Sequence, residues 1–297
     1  METQKTEMSV KEQTSISHEI SNKVRLLRFM WIVFYFLPFF VWDDYNIIPL
    51  FGSYCLYKLF CSIKGKGGEI VPVGTPARSE KVYLITVIVL EVFFSYVFRF
   101  VFSDLYDIGS ISFGDFNVIP TFIFWIELAL VLFFYLVINK EKVFGINAKA
   151  LLFSVLILIP FVYSTALSVI SIKTHGESVK LLTSVECLNS SYRAFVLAGL
   201  IEELFYRGLI YDGMKRFFNA KTAILLQAVF FSLIHSRQMV SLFETGDINI
   251  VINFICVFFL GVISARIRDY TKSFLPSIIL HGCLNGGIYY LGLLLVQ

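Results

Sequence analysis

Nine long apolar runs divide this 297-residue chain, and they restrict its fold more than any other feature. Most of them approach the roughly 20 residues that an α-helix needs to cross the hydrocarbon core of a bilayer. They are too long and too evenly apolar for barrel strands, so we predict an all-α fold: a polytopic transmembrane helical bundle of about 8–9 membrane helices. The runs are 29–42, 46–63, 82–103, 119–139, 149–172, 194–213, 222–242, 250–266 and 274–296.

The composition agrees with a lipid environment. Hydrophobic residues make up 57% of the chain and charged residues only 16%, whereas an average soluble domain is about 45–50% apolar. The net charge of +3 is spread over the loops and forms no basic patch, which argues against a nucleic-acid partner. The lipid bilayer is therefore the first partner that we expect.

Lys and Arg residues cluster in alternate loops when all nine runs are counted as spans. Because cytoplasmic loops carry the excess of Lys and Arg, we predict a multi-pass cell-membrane protein with a cytoplasmic N-terminus. One loop departs from the pattern, since Lys173, Lys180 and Arg193 in the 173–193 segment fall on the outer side. The basic segments are 23–28, 64–81, 140–149, 215–221 and 266–272, and the loops without Lys or Arg are 104–118 and 243–249.

Three regions follow from these patterns. Residues 1–28 are polar and lack the cleavage site of a signal peptide, so we predict a cytoplasmic tail. Residues 29–63 form an N-terminal membrane hairpin, either as two spans or with one run in the interface. A loop rich in Gly and Pro separates this hairpin from a membrane-embedded bundle over 82–297. The polar motifs of the bundle lie within about residues 190–297.

Two adjacent carboxylates and a guanidinium interrupt one apolar run, at Glu202, Glu203 and Arg207. Each ionised side chain at a bilayer centre costs about 2.5–3.5 kcal/mol, so such residues face partners or water and mark functional sites. The spacing of four residues stacks Glu203 and Arg207 on one helix face, where a plain ion pair is the structural alternative. The other intramembrane charges, which structural pairing or a water-filled vestibule would explain, are Glu91, Arg99 and Glu127.

Two further runs each carry a pair with the same spacing: Phe231 with His235, and His281 with Asn285. Taken singly, such His and Asn side chains are often hydrogen-bonding residues between membrane helices. If the three helix faces meet, however, one cavity holds two carboxylates, two imidazoles, a guanidinium and a carboxamide. That set of groups is what a hydrolase needs.

These three motifs resemble the signature motifs of the CPBP family, the CAAX-protease and bacteriocin-processing intramembrane peptidases, which include type II CAAX prenyl endopeptidases. The resemblance covers about residues 150–297, and the wording Phe205-Tyr206-Arg207-Gly208 is similar to that of bacterial members. It implies an intramembrane CAAX-type endopeptidase that acts on a peptide or a lipidated protein. Peptide maturation or self-immunity against a bacteriocin are the roles implied by the bacterial branch.

The resemblance also implies a role for each polar residue. Glu202 is the general base that deprotonates water, His235 holds that water, His281 and Asn285 donate hydrogen bonds to the oxyanion, and Glu203 and Arg207 support the site. The spacing agrees with this division. Arg207 is placed to pair with Glu203, and a carboxylate paired with a cation is the poorer proton acceptor, so Glu202 is the better base.

We expect no cofactor, because the motifs already provide a base, a residue that holds water and oxyanion donors. The alternative is a zinc-dependent version of the same peptidase, with ligands from Glu203 or Glu202, from His235 and from His281. The chain has no His-Glu-x-x-His sequence. Its five cysteines form no CxxC pair, which indicates reduced or buried thiols.

Two functions from other classes compete with the peptidase. A non-catalytic immunity or regulatory scaffold would keep the motif residues for folding alone. A transporter would use them to relay protons, although the chain shows no internal repeat of the kind that transporters carry. The sequence leaves the oligomeric state and the substrate undetermined.

Overall fold

The computed structural model describes five longer segments of the chain and several short pieces between them. Glu91, Arg99 and Glu127 lie outside the described residues. The longer segments are 23–36, 47–64, 145–175, 183–236 and 248–294, and the pieces are 82, 85–86, 89, 112–113, 116–117, 129 and 132–133.

The described residues are almost entirely helical, which confirms the all-α class. Two helices, over Ala148–Thr174 and Ile250–Thr271, are long and apolar enough to cross a membrane. Two-residue strands at Ser112–Phe113 and Phe116–Asn117 pair antiparallel. The helices are α1 (23–36), α2 (Ile47–Lys64), α3 (Ala148–His175), α4 (184–214), α5 (Ala220–Leu233), α6 (Ile248–Thr271), α7 (Leu275–Leu284) and α8 (Gly287–Leu293).

Helix α4 carries the first motif and begins earlier than predicted. The Thr183 hydroxyl accepts from the Glu186 N–H, and the Glu186 carboxylate accepts from the Thr183 N–H, which forms a capping box. The prediction of a loop over all of 173–193 was therefore wrong from residue 184 onward. The helix is π-helical over Arg193–Leu200 and Glu203–Ile210, a wider winding that is rare and is often found at functional sites.

The last apolar run is two helices instead of the single predicted one. Helix α7 starts with Pro276 in its first turn, where a missing N–H costs nothing, and ends at Leu284. Gly286 follows with a φ of +80°, a left-handed conformation that stops the helix, and α8 begins at Gly287. Asn285 is therefore the C-terminal cap of α7, one turn after His281, and its N–H donates to the His281 carbonyl oxygen at 3.0 Å.

Glycines allow α4 and α7 to pack closely. A Cβ atom at Gly199 would lie 3.1 Å from the carbonyl oxygen of Ile278, so the two helices meet there backbone to backbone. Further along, the Phe195 ring lies against Gly282 and Gly287, and a Cβ on either glycine would overlap it. The ring thereby fixes the position of the α7–α8 turn relative to α4.

A network of charges joins the end of α4 to the end of α6. Arg268 Nη1 donates to Asp212 Oδ1 at 2.8 Å, and Nη2 contacts Oδ2 of the same carboxylate. Lys215 reaches Asp212 at 2.8 Å, and the Tyr211 hydroxyl donates to Asp269 at 2.8 Å. Because Arg268 is only 8% exposed, its pair with Asp212 is shielded from solvent better than a surface ion pair.

We expect Arg268→Met to lower the free energy of unfolding by about 1–3 kcal/mol, since it leaves the Asp212 carboxylate with Lys215 as its one cation among the described residues. The control is Lys272→Met, because the Lys272 ammonium lies 3.7 Å from Asp269 with its side chain 77% exposed. Removing an exposed charge of this kind changes stability by less than about 0.5 kcal/mol. Thermal unfolding in detergent measures both variants, and equal losses would contradict the proposed contribution of the pair.

We expect Gly282→Ala to destabilise the protein by about 1–3 kcal/mol, because the added methyl group overlaps the Phe195 ring. The combined Phe195→Ala/Gly282→Ala variant tests the cause. If the overlap is responsible, the double variant loses less stability than the sum of the two single variants. Strictly additive losses in thermal unfolding would show that the two positions do not interact.

Candidate active site

Glu203 joins two helices at the centre of the motif region. Its Oε2 lies 3.2 Å from Arg207 Nε on the same helix, and its Oε1 lies 3.1 Å from His281 Nδ1 on α7. Glu203 and Arg207 are both 0% exposed, and His281 is 2% exposed. The ion pair predicted from the spacing is therefore present, and the second carboxylate oxygen extends it to the third motif.

Phe231 provides the surface on which the motif residues meet. The Arg207 guanidinium carbon lies 4.2 Å from the centroid of this ring, a cation–π contact. The rings of Tyr206, His235 and His281 pack against it edge to face, with centroids 5.0, 5.2 and 5.7 Å away. The phenylalanine of the second motif thus has a structural role: it brings residues of α4, α5 and α7 together.

His235 lies in a 3-10 turn, Ile234–Ser236, just after α5. Its Nδ1 is 3.0 Å from the Phe231 carbonyl oxygen. A carbonyl oxygen only accepts hydrogen bonds, so Nδ1 carries the proton and Nε2 of the neutral ring is an acceptor. This tautomer allows His235 to accept a hydrogen bond from water.

The two adjacent glutamates differ in accessibility. Glu202 Oε2 lies 3.8 Å from His281 Nε2, which is too long for a hydrogen bond, and the Glu202 side chain is 17% exposed. Among the described residues this buried oxygen has no hydrogen-bond partner. Glu203, in contrast, contacts both Arg207 and His281. Glu202 is thus the carboxylate that a small molecule reaches.

A cavity of about 390 Å³ opens beside Glu202. Asn285, which is exposed at the end of α7, lines the same cavity, and its backbone N–H donates to the His281 carbonyl at 3.0 Å. We name this space the Glu202 cavity. Its walls come from α4, the α7–α8 turn and α8, and its lining residues are Ser190, Arg193, Ala194, Leu197, Ala198, Glu202, Asn285 and Tyr290.

The structure therefore brings the six predicted polar residues together in three ways. Direct contacts link Glu202, Glu203, Arg207 and His281, whereas Asn285 shares the Glu202 cavity with Glu202. His235 joins them through the Phe231 ring. Three polar residues of the cavity were not predicted: Ser190 and Tyr290 belong to no spacing pattern, and Arg193 stood out only as an exception to the charge pattern of the loops.

The zinc alternative would need Glu203 or Glu202, His235 and His281 as ligands, and some of their atoms already have partners. Glu203 contacts Arg207 and His281, and Nδ1 of His235 is bonded to a carbonyl oxygen. In the part of the chain that the structure describes, no three His, Cys, Asp or Glu side chains are arranged as a metal site. The five cysteines are all free thiols, and Cys283 beside His281 is buried.

Comparison with known proteins identifies the motif region. Residues 186–287 match the family model described as type II CAAX prenyl endopeptidase Rce1-like. The matched segment contains all three motifs and runs from α4 to the start of α8. No curated protein and no solved structure matches the chain. The match covers about a third of the chain and supports membership of the CPBP group, which the three motifs also indicate.

Proposed function

We propose that this protein is an intramembrane endopeptidase in which Glu202 activates a water molecule to hydrolyse a peptide bond. The observation that carries the proposal is the unequal pair of glutamates. Glu203 contacts Arg207 and His281, whereas Glu202 faces a cavity large enough for a peptide segment. A structural ion pair alone requires one carboxylate, so the second, accessible one is available for chemistry.

Glu202 acts as the general base in this mechanism. Its carboxylate accepts the proton of the attacking water, and the resulting hydroxide adds to the carbonyl carbon of the scissile bond. The proton then passes to the nitrogen of the leaving amine as the bond breaks. Glu203 is less suited to this role, because its charge is shared with Arg207 and His281.

The remaining residues position the water and stabilise the intermediate. His235 offers Nε2 as an acceptor to the water, since its Nδ1 is bonded to the Phe231 carbonyl. Asn285 donates its side-chain amide to the oxyanion from the cavity wall. His281 donates Nδ1–H to Glu203, so its Nε2 joins the oxyanion donors only when the ring carries both protons.

The family indicates the class of substrate, a peptide or a prenylated protein. The Phe205-Tyr206-Arg207-Gly208 wording favours a bacterial protein, in which peptide maturation or self-immunity against a bacteriocin is the corresponding role. The proposal also includes a metal-free reaction and a multi-pass bundle of about 8–9 helices in the cell membrane, with a cytoplasmic N-terminus. Its regions are the 1–28 tail, the 29–63 hairpin and the 82–297 peptidase bundle.

We expect Glu202→Gln to lower kcat by about 10²–10⁴-fold, the usual contribution of a general base, without loss of thermal stability. The assay uses an internally quenched peptide with a farnesylated Cys-aliphatic-aliphatic-any terminus, cleaved by the full chain in detergent. The matched control is Glu186→Gln on the same helix, because a glutamine also closes the capping box.

Full activity of Glu202→Gln would rule out the proposed base. Activity that a chelator abolishes and zinc restores would replace the metal-free mechanism with the zinc-dependent one. A third outcome, in which the wild-type chain cleaves neither this peptide nor any other prenylated peptide tested, would favour the non-catalytic scaffold.

A second pair of variants separates folding from catalysis. Arg207→Met should destabilise the protein by about 3–5 kcal/mol, because it leaves the fully buried Glu203 carboxylate without its cation. Adding Glu203→Gln removes that charge and should recover most of the stability. Thermal unfolding and peptide cleavage are measured on the same samples. If the double variant recovers stability but not kcat, the ion pair also supports the chemistry. If it recovers neither, the buried-charge explanation is contradicted.

A further inference from the structure

Arg193 lies in the wall of the Glu202 cavity, nine residues before Glu202 on α4. The residue is exposed, and the guanidinium forms no ion pair with any carboxylate in the described part of the chain. A cation that has no carboxylate partner among the described residues, in a cavity that also contains the Glu202 carboxylate, requires a physical explanation. Solvation of the guanidinium by water is the simplest explanation, but it does not explain why the arginine lies in this cavity.

The sequence makes the location more unusual. The alternating loop charges put Arg193 on the outer side of the membrane, where Lys and Arg are disfavoured. The structure shows that Arg193 does not belong to a loop: it begins the π-helical stretch Arg193–Leu200 and lines the cavity. Its position is therefore explained better by the cavity than by topology.

We propose that Arg193 binds a carboxylate of the substrate and so determines which peptides enter the Glu202 cavity and in which direction. This inference rests on the proposed peptidase function. A guanidinium pairs with a carboxylate through two parallel hydrogen bonds, and the neighbouring Ser190 and Tyr290 hydroxyls add neutral donors. Glu202 repels the same carboxylate, so the anionic end of the peptide lies toward Arg193 and the peptide backbone lies toward Glu202.

The spacing of the two charges fits a short peptide segment. Nine residues of helix rise by at most about 13 Å, and an extended chain covers about 3.3–3.6 Å per residue. A carboxylate bound at Arg193 therefore lies only a few residues from a peptide bond at Glu202. That carboxylate is either the free C-terminus of the substrate or an acidic side chain close to the scissile bond.

The test compares four farnesylated, internally quenched peptides that differ only in charge near the terminus. Two end in a free acid or an amide, and two carry an amide end with Glu or Gln as the last residue. Each is assayed with the full-length chain in detergent, as wild type, Arg193→Met and Arg193→Lys. The control is Lys221→Met, which removes an exposed cation on α5 that does not line the cavity.

For the preferred anionic peptide, we expect Arg193→Met to raise KM about tenfold and to change kcat by less than about twofold. Arg193→Lys should restore part of the affinity, and Lys221→Met should have no effect. The neutral peptides should show the same KM in all variants. If the free-acid peptide is the one affected, Arg193 binds the C-terminal carboxylate. If the Glu peptide is the one affected, Arg193 binds an acidic side chain.

Binding measured by fluorescence anisotropy separates this inference from the peptidase function. Binding of an anionic peptide that depends on Arg193 supports the inference even if the peptide is not cleaved, in which case only the proposed function fails. Equal binding of anionic and neutral peptides by the wild type overturns the inference, as does absence of binding by all four. If Arg193→Met weakens the binding of all four peptides equally, and does so only when anionic lipid is present, Arg193 contacts lipid instead.

Discussion

The buried ion pair of Glu203 with Arg207, extended to His281, is the interaction on which the motif region depends. Removing these charges from water is expensive, and it is tolerated only when each has a partner. Arg207 is held by Glu203 on one side and by the Phe231 ring on the other. The same contacts bring α4, α5 and α7 together. The contacts that stabilise the buried charges therefore also assemble the site.

The close packing of the helices sets the distances between these charged residues. Gly199 lets the α4 backbone approach α7, and the Phe195 ring occupies the space beside Gly282 and Gly287. With α4 and α7 held at this distance, His281 reaches Glu203, and Asn285 is left at the wall of the Glu202 cavity. One glutamate is thereby enclosed in the ion pair, whereas its neighbour faces open space.

Much of the candidate site was predictable because its residues are costly in an apolar chain. Charged and polar side chains within apolar runs are easily recognised, and helical spacing predicted the Glu203–Arg207 pair. Arg193 and Phe195 were not predictable as site residues: an arginine near the end of an apolar run indicates topology first, and one phenylalanine among 32 has no distinguishing pattern. The break at Gly286 was also missed, because the run 274–296 is long enough for a single membrane-spanning helix.

The sequence by itself determined the helical class and indicated a membrane protein, since both follow from the length of the apolar runs, and the local spacing of its motifs indicated the family that residues 186–287 match. Tertiary structure alone decided which glutamate faces the cavity, that α7 ends at Asn285, and that Arg193 shares the cavity with Glu202. The reason is physical: spacing along one helix specifies which side chains are neighbours, whereas burial depends on the helices that pack against them.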